Sequence, residues 1–517
     1  MNILNGVIIQ GFQWNTSNDG NHWNYLASIS AELSKSGITA IWLPPPQKSE
    51  SAINDVGYAP YDLYDLGQYN QKDSARTKYG TQFQFINAVK ALKTAGLQVY
   101  IDAVLHHRCG ADLPPEQCQA IVVSSDNRCQ EIPPWYTIKA YTRFDFKGRL
   151  STQQGRKASS KTYSYLDFDA VNVDANNPNE KNKVYKVKDK RFQIAASKNN
   201  GIFDDYVIGA DHDMDVSEVR DDLFNWGVWI LDETDADGFR FDAAGHVRPF
   251  FFKDFLGYVR SQRQKSNKEV FAVGEYFEGG STAPLHEFLM QTSSSMSLFD
   301  FPLQAKFHNA SISNPKNAFD LRILSYDTLS SQQPTLAVTF VENHDTQPLS
   351  AADGCQVADW FKPLAYAYIL LREQGYPTIF IADWEGAKYE NNKVKVDMPS
   401  HKPLLKRMLA ARKHYAYGPQ LDYIDYRNTI GWTRLGTGNI GSEIPPKPMA
   451  VLMTNGYTEG WKWMEVRLGN TPFIDILGNR QETIFTNMHG WGQFTVNAES
   501  CSVWVPEEMS DEVRAMI

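Results

Sequence analysis

The chain is predicted to fold as a (β/α)8 barrel, a TIM barrel, with an inserted irregular β-rich domain and a C-terminal antiparallel β-sandwich. Three observations carry that prediction. Eight apolar runs of strand length fall near Val7, Ile38, Val99, Phe239, Phe271, Leu298, Val338 and Ile379, several of them separated by helical segments. A helix, a glycine stop and a buried strand recur as a unit. Three of the strands end in an acid, at Asp242, Glu275 and Asp345. In a parallel barrel, functional residues gather at the C-terminal ends of the strands. A doubly wound sheet would accommodate the same elements but explains less well why several strands deliver acids.

The elements follow in order. Between Asn24 and Ser36, Leu26, Ile29 and Leu33 share one helical face; Gly37 stops the helix and Ile38-Thr-Ala-Ile-Trp-Leu follows as a strand. The next unit has Phe85, Val89 and Leu92, then Gly96, then Leu97-Gln-Val-Tyr-Ile-Asp-Ala-Val. A late unit has Leu364, Tyr368 and Leu371, Gly375, and Tyr376-Pro-Thr-Ile-Phe-Ile. Glycine just past a helix supplies the left-handed cap, and the apolar runs suit strands buried on both faces. About a hundred residues, polar, aromatic and rich in Lys and Asn, separate the third strand from the fourth. The barrel is therefore assigned to residues 1–107 and 209–420, and the insert to 108–208. From 421 to 517 short alternating runs such as Lys447-Pro-Met-Ala-Val-Leu-Met, punctuated by Thr454-Asn-Gly and Leu477-Gly-Asn, predict the sandwich.

Bulk properties narrow the function. A length of 517 residues suits a barrel-sized domain plus smaller ones. The net charge of -9 argues against a nucleic-acid partner and fits a neutral or small substrate. No apolar run approaches the length of a membrane span. Met1-Asn-Ile-Leu-Asn-Gly has no basic n-region, and five cysteines do not make a disulfide framework, so a cytoplasmic enzyme is expected.

The chemistry concentrates in Gly238-Phe-Arg-Phe-Asp-Ala-Ala-Gly-His246. Residues two apart on a strand point the same way, so Arg240 and Asp242 share a face. A carboxylate beside a guanidinium tends to stay ionised, as a nucleophile requires. Val270-Phe-Ala-Val-Gly-Glu275 and Val338-Thr-Phe-Val-Glu-Asn-His-Asp345 end in the other two acids. A lone carboxylate after four or five apolar residues is costly to bury, which favours one shared site over three separate surface charges.

These segments, with Asp102-Ala-Val-Leu-His-His107, resemble in order the four signature regions of the α-amylase family, glycoside hydrolase family 13. The resemblance extends through Asp55-Val-Gly-Tyr-Ala-Pro-Tyr-Asp-Leu-Tyr-Asp-Leu-Gly67, Trp360-Phe-Lys-Pro-Leu-Ala-Tyr-Ala-Tyr368 and His489-Gly-Trp-Gly492, and is weakest in the insert. These motifs resemble those of the liquefying bacterial enzymes and their intracellular fungal relatives. The resemblance implies endo-acting, configuration-retaining hydrolysis of internal α-1,4-glucosidic bonds in starch, glycogen or malto-oligosaccharides. Such chemistry uses two carboxyl groups roughly 5 Å apart in different protonation states. By the resemblance, Asp242 is the nucleophile, Glu275 the acid and base, and Asp345 the third acid that grips sugar hydroxyls. His107 and His344 are then donors to the sugar being cleaved, Tyr58 its platform, Arg240 the partner of Asp242, and His246 a wall residue.

The resemblance also implies calcium between barrel and insert, held by Asp205, Asp211 and the backbone oxygen of His246. His106 stands where the family usually has an asparagine ligand, and imidazole is a poor donor for a hard ion. Either the site is weakened, or His106 occupies part of its space, or the acidic segment 203–215 is a solvated loop without metal. Cys109, Cys118 and Cys129 near His106 raise the alternative of zinc, although their spacing fits no paired-ligand pattern and free thiols are favoured; a Cys118–Cys129 bridge is left open. Gly245, Phe277 and Glu342 depart from the lysine, tryptophan and aspartate usual at their positions. Two other functions share the constellation. A 4-α-glucanotransferase would use the same triad with a sugar as acceptor, and a glucan-binding protein would carry it as a relic.

Overall fold

The computed structural model describes residues 5–124, 127–180, 182–192, 208–265, 268–391, 393–440 and 445–514. Its centre is a closed barrel of eight parallel strands: β1 (Ile8–Gln10), β2 (Ala40–Leu43), β3 (Gln98–Ala103), β4 (Gly238–Phe241), β5 (Phe271–Gly274), β6 (Ser297–Phe299), β7 (Ala337–Phe340) and β8 (Tyr376–Phe380). Each strand pairs with its sequence neighbours and β8 closes on β1, with Ile9 opposite Ile379. All eight expected runs are barrel strands.

Helices follow the strands around the outside. His22–Lys35 and Gln82–Thr94 bury Leu26 and Leu33, and Phe85, Val89 and Leu92, against the barrel. Gly37 and Gly96 take φ of 99° and 88°, the left-handed region that ends each helix. Two apolar layers result. One lies between strands and helices, and a smaller one, including Ile8, Trp42, Tyr100, Val273, Phe299 and Phe340, fills the barrel interior. The barrel is therefore solid, and a ligand meets it only at its end.

The chain leaves β3 into a six-stranded antiparallel sheet in the order His107–Arg108, Ala210–His212, Phe168–Val171, Val184–Val187, Glu116–Val123 and Glu131–Ala140. Its outgoing and returning strands pair side by side, with Asp211 opposite His107. The insert is thus stapled at the C-terminal end of β3, where the acids lie. The C-terminal region places a six-stranded antiparallel sheet against a two-stranded ribbon, Gly460–Glu465 with Trp491–Val496. Leu452, Met464, Phe473, Phe494 and Trp504 fill the space between them.

Candidate active site

The site is built from adjacent strand ends. Arg240 on β4 lies in register with Asp102 on β3 and Val273 on β5. Past the strands the backbone stays coupled: Asp242 N donates to Ala103 O at 3.1 Å, and Glu275 N donates to Phe241 O at 2.9 Å. Asp242 and Glu275 therefore start from neighbouring rungs of one ladder. Ala243, directly after Asp242, is held at φ 46°. That strained turn aims its N–H at Glu275 Oε2, 3.2 Å away.

Arg240 joins the acids. Its Nη1 donates to Asp102 Oδ1 at 2.7 Å and to Asp242 Oδ1 at 2.9 Å, while Nη2 donates to Glu275 Oε2 at 2.7 Å. Four carboxyl groups thus surround one guanidinium. Burial, the largest effect for each, raises Asp102, Asp242, Glu275 and Asp345 above the ordinary carboxylate range, against the pull of Arg240. The sequence predicts that Arg240 keeps Asp242 ionised. In the structure desolvation and the charge of Asp102 offset that help, because Asp102 takes the same Nη1.

The donors to these acids are unequal. Asp102, fully buried, accepts from Arg240, from Tyr58 Oη at 2.7 Å and from Trp42 Nε1 at 3.0 Å. Such a set favours the charged form. Asp345, whose neighbours are Glu275 and His344 Nε2 at 3.4 Å, is raised well above the usual range by burial and then by the charge of Glu275.

His344 and His107 are neutral. Gln10 Nε2 lies 2.9 Å from His344 Nδ1; an amide N–H can only donate, so the His344 proton sits on Nε2, facing Asp345. Burial lowers His344 well below its ordinary value and pushes His107 down to about 3. His107 Nε2 contacts the Tyr58 carbonyl at 2.9 Å, and its Nδ1 lies 3.3 Å from His106 Nδ1. The Tyr58 ring stacks on His344, with centroids 5.0 Å apart and planes 14° apart, and on Trp14 at 6.1 Å and 4°.

These groups line a cleft of about 400 Å³ at the barrel mouth. Tyr58, His106, His107, Asp242, His246, Glu275, His344 and Asp345 all open onto it, with Arg240 directly behind the acids. Sequence reasoning missed Trp14, Gln10, Trp42 and the role of Asp102. Asp102 was readable in principle, because it also lies near the end of a barrel strand within a quoted motif. Trp14 and Gln10 carry no local signal.

Comparison with known proteins bears on the whole architecture. The family described as "Alpha amylase, catalytic domain" matches residues 22–414, and "Alpha-amylase C-terminal" matches 453–505. The chain belongs to the α-amylase family. It is 44% identical over 509 residues to an α-amylase of Geobacillus stearothermophilus, covering 98% of this chain and 88% of that one. To an α-amylase of Bacillus licheniformis it is 40% identical over 504 residues, covering 97% and 94%. The crystal structure of a Geobacillus thermoleovorans α-amylase in complex with acarbose shares the fold, with a TM-score of 0.64 at 16% identity, covering 98% of each chain. The chain is an α-amylase that hydrolyses α-1,4-glucosidic bonds, and its substrate is an α-glucan.

Within this α-amylase the departures from the family pattern have physical settings. A Cβ at Gly245 would stand 3.2 Å from the Tyr276 ring, so a side chain there needs that ring to yield. Phe277 borders the cleft and packs on Phe301 with centroids 4.6 Å apart. Glu342 is absent from the cleft lining: it is buried, accepts from Thr346 Oγ1 and from Val357 N, and lies 3.5 Å from Lys362 Nζ. It braces the loop that carries Asp345, and burial pushes it up to about 8.

The calcium expectation fares differently. Asp205 lies outside the described residues. His106 Nε2 stands 3.3 Å from Asp211 Oδ1, with both side chains buried, and the His246 ring centroid lies 6.1 Å from that of His106. An imidazole nitrogen thus faces the carboxylate where a hard ion needs oxygen. Among the described residues no three His, Cys, Asp or Glu side chains converge on a metal position, and the His106 nitrogen is not the oxygen donor calcium prefers. The five cysteines are free thiols, so the structure forms no Cys118–Cys129 bridge.

Proposed function

We propose that this α-amylase is endo-acting and retains anomeric configuration, with Asp242 as nucleophile and Glu275 as acid and base. The observation that carries the reading is the Arg240 fork, which reaches Asp242 through Nη1 and Glu275 through Nη2. Two carboxyls spanned by one guanidinium suit the close separation, roughly 5 Å, used in double displacement.

In the first step an Asp242 oxygen bonds to the anomeric carbon as the glycosidic bond breaks, and Glu275 passes its proton to the departing oxygen. In the second step the Glu275 carboxylate takes a proton from water. The water oxygen bonds to the same carbon, and Asp242 leaves as a carboxylate. Asp345 and the His344 Nε2–H are placed to grip hydroxyls of the sugar in the cleft, and Tyr58 and Trp14 offer stacked faces beneath and beside it. Binding is strongest when the ring flattens toward the oxocarbenium-like state. No step is routed through calcium.

The test is proton NMR of the first products from maltoheptaose, with chromatography of chain lengths over time. Newly formed α-anomers and shorter oligosaccharides are expected. Initial β-anomers would refute retention, and products longer than the heptamer would favour the glucanotransferase. A cytoplasmic setting belongs to the same reading, supported by five free thiols, which suit a reducing compartment. Fractionation that finds the protein only in the medium would overturn it.

A further inference from the structure

One hairpin stands beside the cleft without lining it. Its strands, Ala387–Asn391 and Val394–Met398, follow the end of β8, the barrel neighbour of β7, whose end carries Asp345. Side chains alternate along the first strand: Lys388 and Glu390 are exposed, while Tyr389 and Asn391 are half-buried and point the other way. Met398 is buried in the main core and roots the hairpin, and Val396, opposite Tyr389, packs against that core.

Tyr389 and Asn391 reach the turn that follows Asp345. Tyr389 Oη donates to Pro348 O at 2.5 Å, and Asn391 Nδ2 donates to Leu349 O at 3.1 Å. Leu349 sits at φ 60°, a left-handed conformation that a leucine keeps only under constraint. Pro348 fixes its own φ, so the turn is free to relax at Leu349. That turn holds three parts of the site. Asp345 O accepts from Ala352 N at 2.8 Å and lies 2.5 Å from the Ser350 hydroxyl, which is also 2.6 Å from Gln347 O. Gln347 Oε1 accepts from Trp14 N at 2.9 Å, which fixes the backbone of that stacked indole. Ala351 and Ala352 line the cleft, whereas Tyr389 and Asn391 do not.

We propose that Tyr389 and Asn391 are positioning residues for glucan cleavage. They hold Leu349 left-handed, and through that turn they set Asp345 and Trp14 against the sugar. The inference rests on the reading of Asp345 as the acid that grips sugar hydroxyls. Without the two bonds Leu349 relaxes to negative φ, and the Ser350–Ala352 segment that bonds Asp345 O shifts with it. Asp345 serves the flattened ring more than the relaxed one, so the loss falls on kcat and not on KM. A hairpin that only stabilised the fold would lower the melting temperature and leave the kinetics of the folded enzyme unchanged.

The experiment is maltoheptaose kinetics on the full-length protein, with melting temperatures read on the same preparations. The double variant Tyr389→Phe, Asn391→Ala is expected to lower kcat about five- to thirtyfold, with KM within about threefold of wild type. Adding Leu349→Gly should restore kcat to within about threefold, because glycine takes φ 60° without steric cost and needs no holding. Unchanged kcat in the double variant would overturn the proposal. So would a rise in KM alone, or a triple variant no more active than the double. Asp345→Asn checks the underlying reading by itself: a loss of less than about tenfold there removes Asp345 from its role, whatever the hairpin variants do.

Discussion

Replacing Glu275 by glutamine should make the enzyme both nearly inactive and more stable. The amide oxygen can still accept from Arg240 Nη2 and Ala243 N, at 2.7 and 3.2 Å in the wild type, so the cleft keeps its shape. The proton for the leaving oxygen is lost, which costs on the order of 10²- to 10⁴-fold in kcat, about 3–5 kcal/mol of barrier. Stability moves the other way. Glu275 is raised by burial and by the charge of Asp242, against Arg240, so the ionised group opposes folding above its ordinary value of 4.5. Replacing an unfavourably buried charge by a neutral isostere is worth about 1–4 kcal/mol, against about 1 kcal/mol for weakening one charge-assisted hydrogen bond. The gain wins, and the melting temperature should rise by about 1–3 °C. For a raised carboxyl the stability is whole below the unfolded pKa and is lost as pH rises through the folded one. The difference between variant and wild type should therefore vanish near pH 4 and grow toward pH 8. Calorimetry across that range, with maltoheptaose kinetics on the same preparations, reads both. Near-normal turnover would remove Glu275 from its role. A melting temperature that falls at pH 8 would refute the picture of an overcrowded carboxyl cluster.

Arg240→Lys keeps one positive charge but cannot span Nη1 and Nη2, so it gives up at least one charged bond of about 1.5–3 kcal/mol. A fall of about 10²-fold in kcat, with a displaced pH–rate profile, is expected in steady-state kinetics. Tyr58→Phe removes only the bond to Asp102 and should change KM by less than about threefold, whereas Tyr58→Ala removes the stacked face and should cost about tenfold or more in kcat/KM. Chelator should shift the wild-type melting temperature by less than about 1 °C, since imidazole fills the oxygen position. His106→Asn should create a calcium-dependent rise, read by differential scanning fluorimetry; a wild type that chelator strongly destabilises would refute the assignment.

The barrel was legible because its strands are buried on both faces. Such strands read as unbroken apolar runs, and the Gly37 and Gly96 stops mark the helix ends between them. The three acids were legible for the same reason: a carboxylate straight after Val273-Gly274 or Phe241 has no ordinary place in a core. What the sequence hides is competition. Arg240 and Asp242 share a face, as the period-two rule requires, but that rule is silent about the neighbouring strand, where Asp102 takes the same nitrogen. Glu342 sits two residues before His344 inside the same motif, yet the loop turns it down toward Lys362. Gln10 and Trp14 lie more than 300 residues from His344, which one bonds and the other stacks upon. No local pattern encodes such meetings.

Asp102 makes the reach of that competition concrete. Tied to Arg240, Tyr58 and Trp42, it is the carboxyl best held in its charged form. Once ionised, it neutralises much of the Arg240 guanidinium that the other acids share. Asp242, Glu275 and Asp345 are then three buried acids without net countercharge, and they must hold protons to higher pH than acids in water do. Asp242, bonded to Nη1, and Glu275, bonded to Nη2, share that weakened cation. A residue set behind the acids thus bears on the charge of each of them. Its asparagine variant should shift both limbs of the pH–rate profile downward, because Arg240 would then serve Asp242 and Glu275 alone.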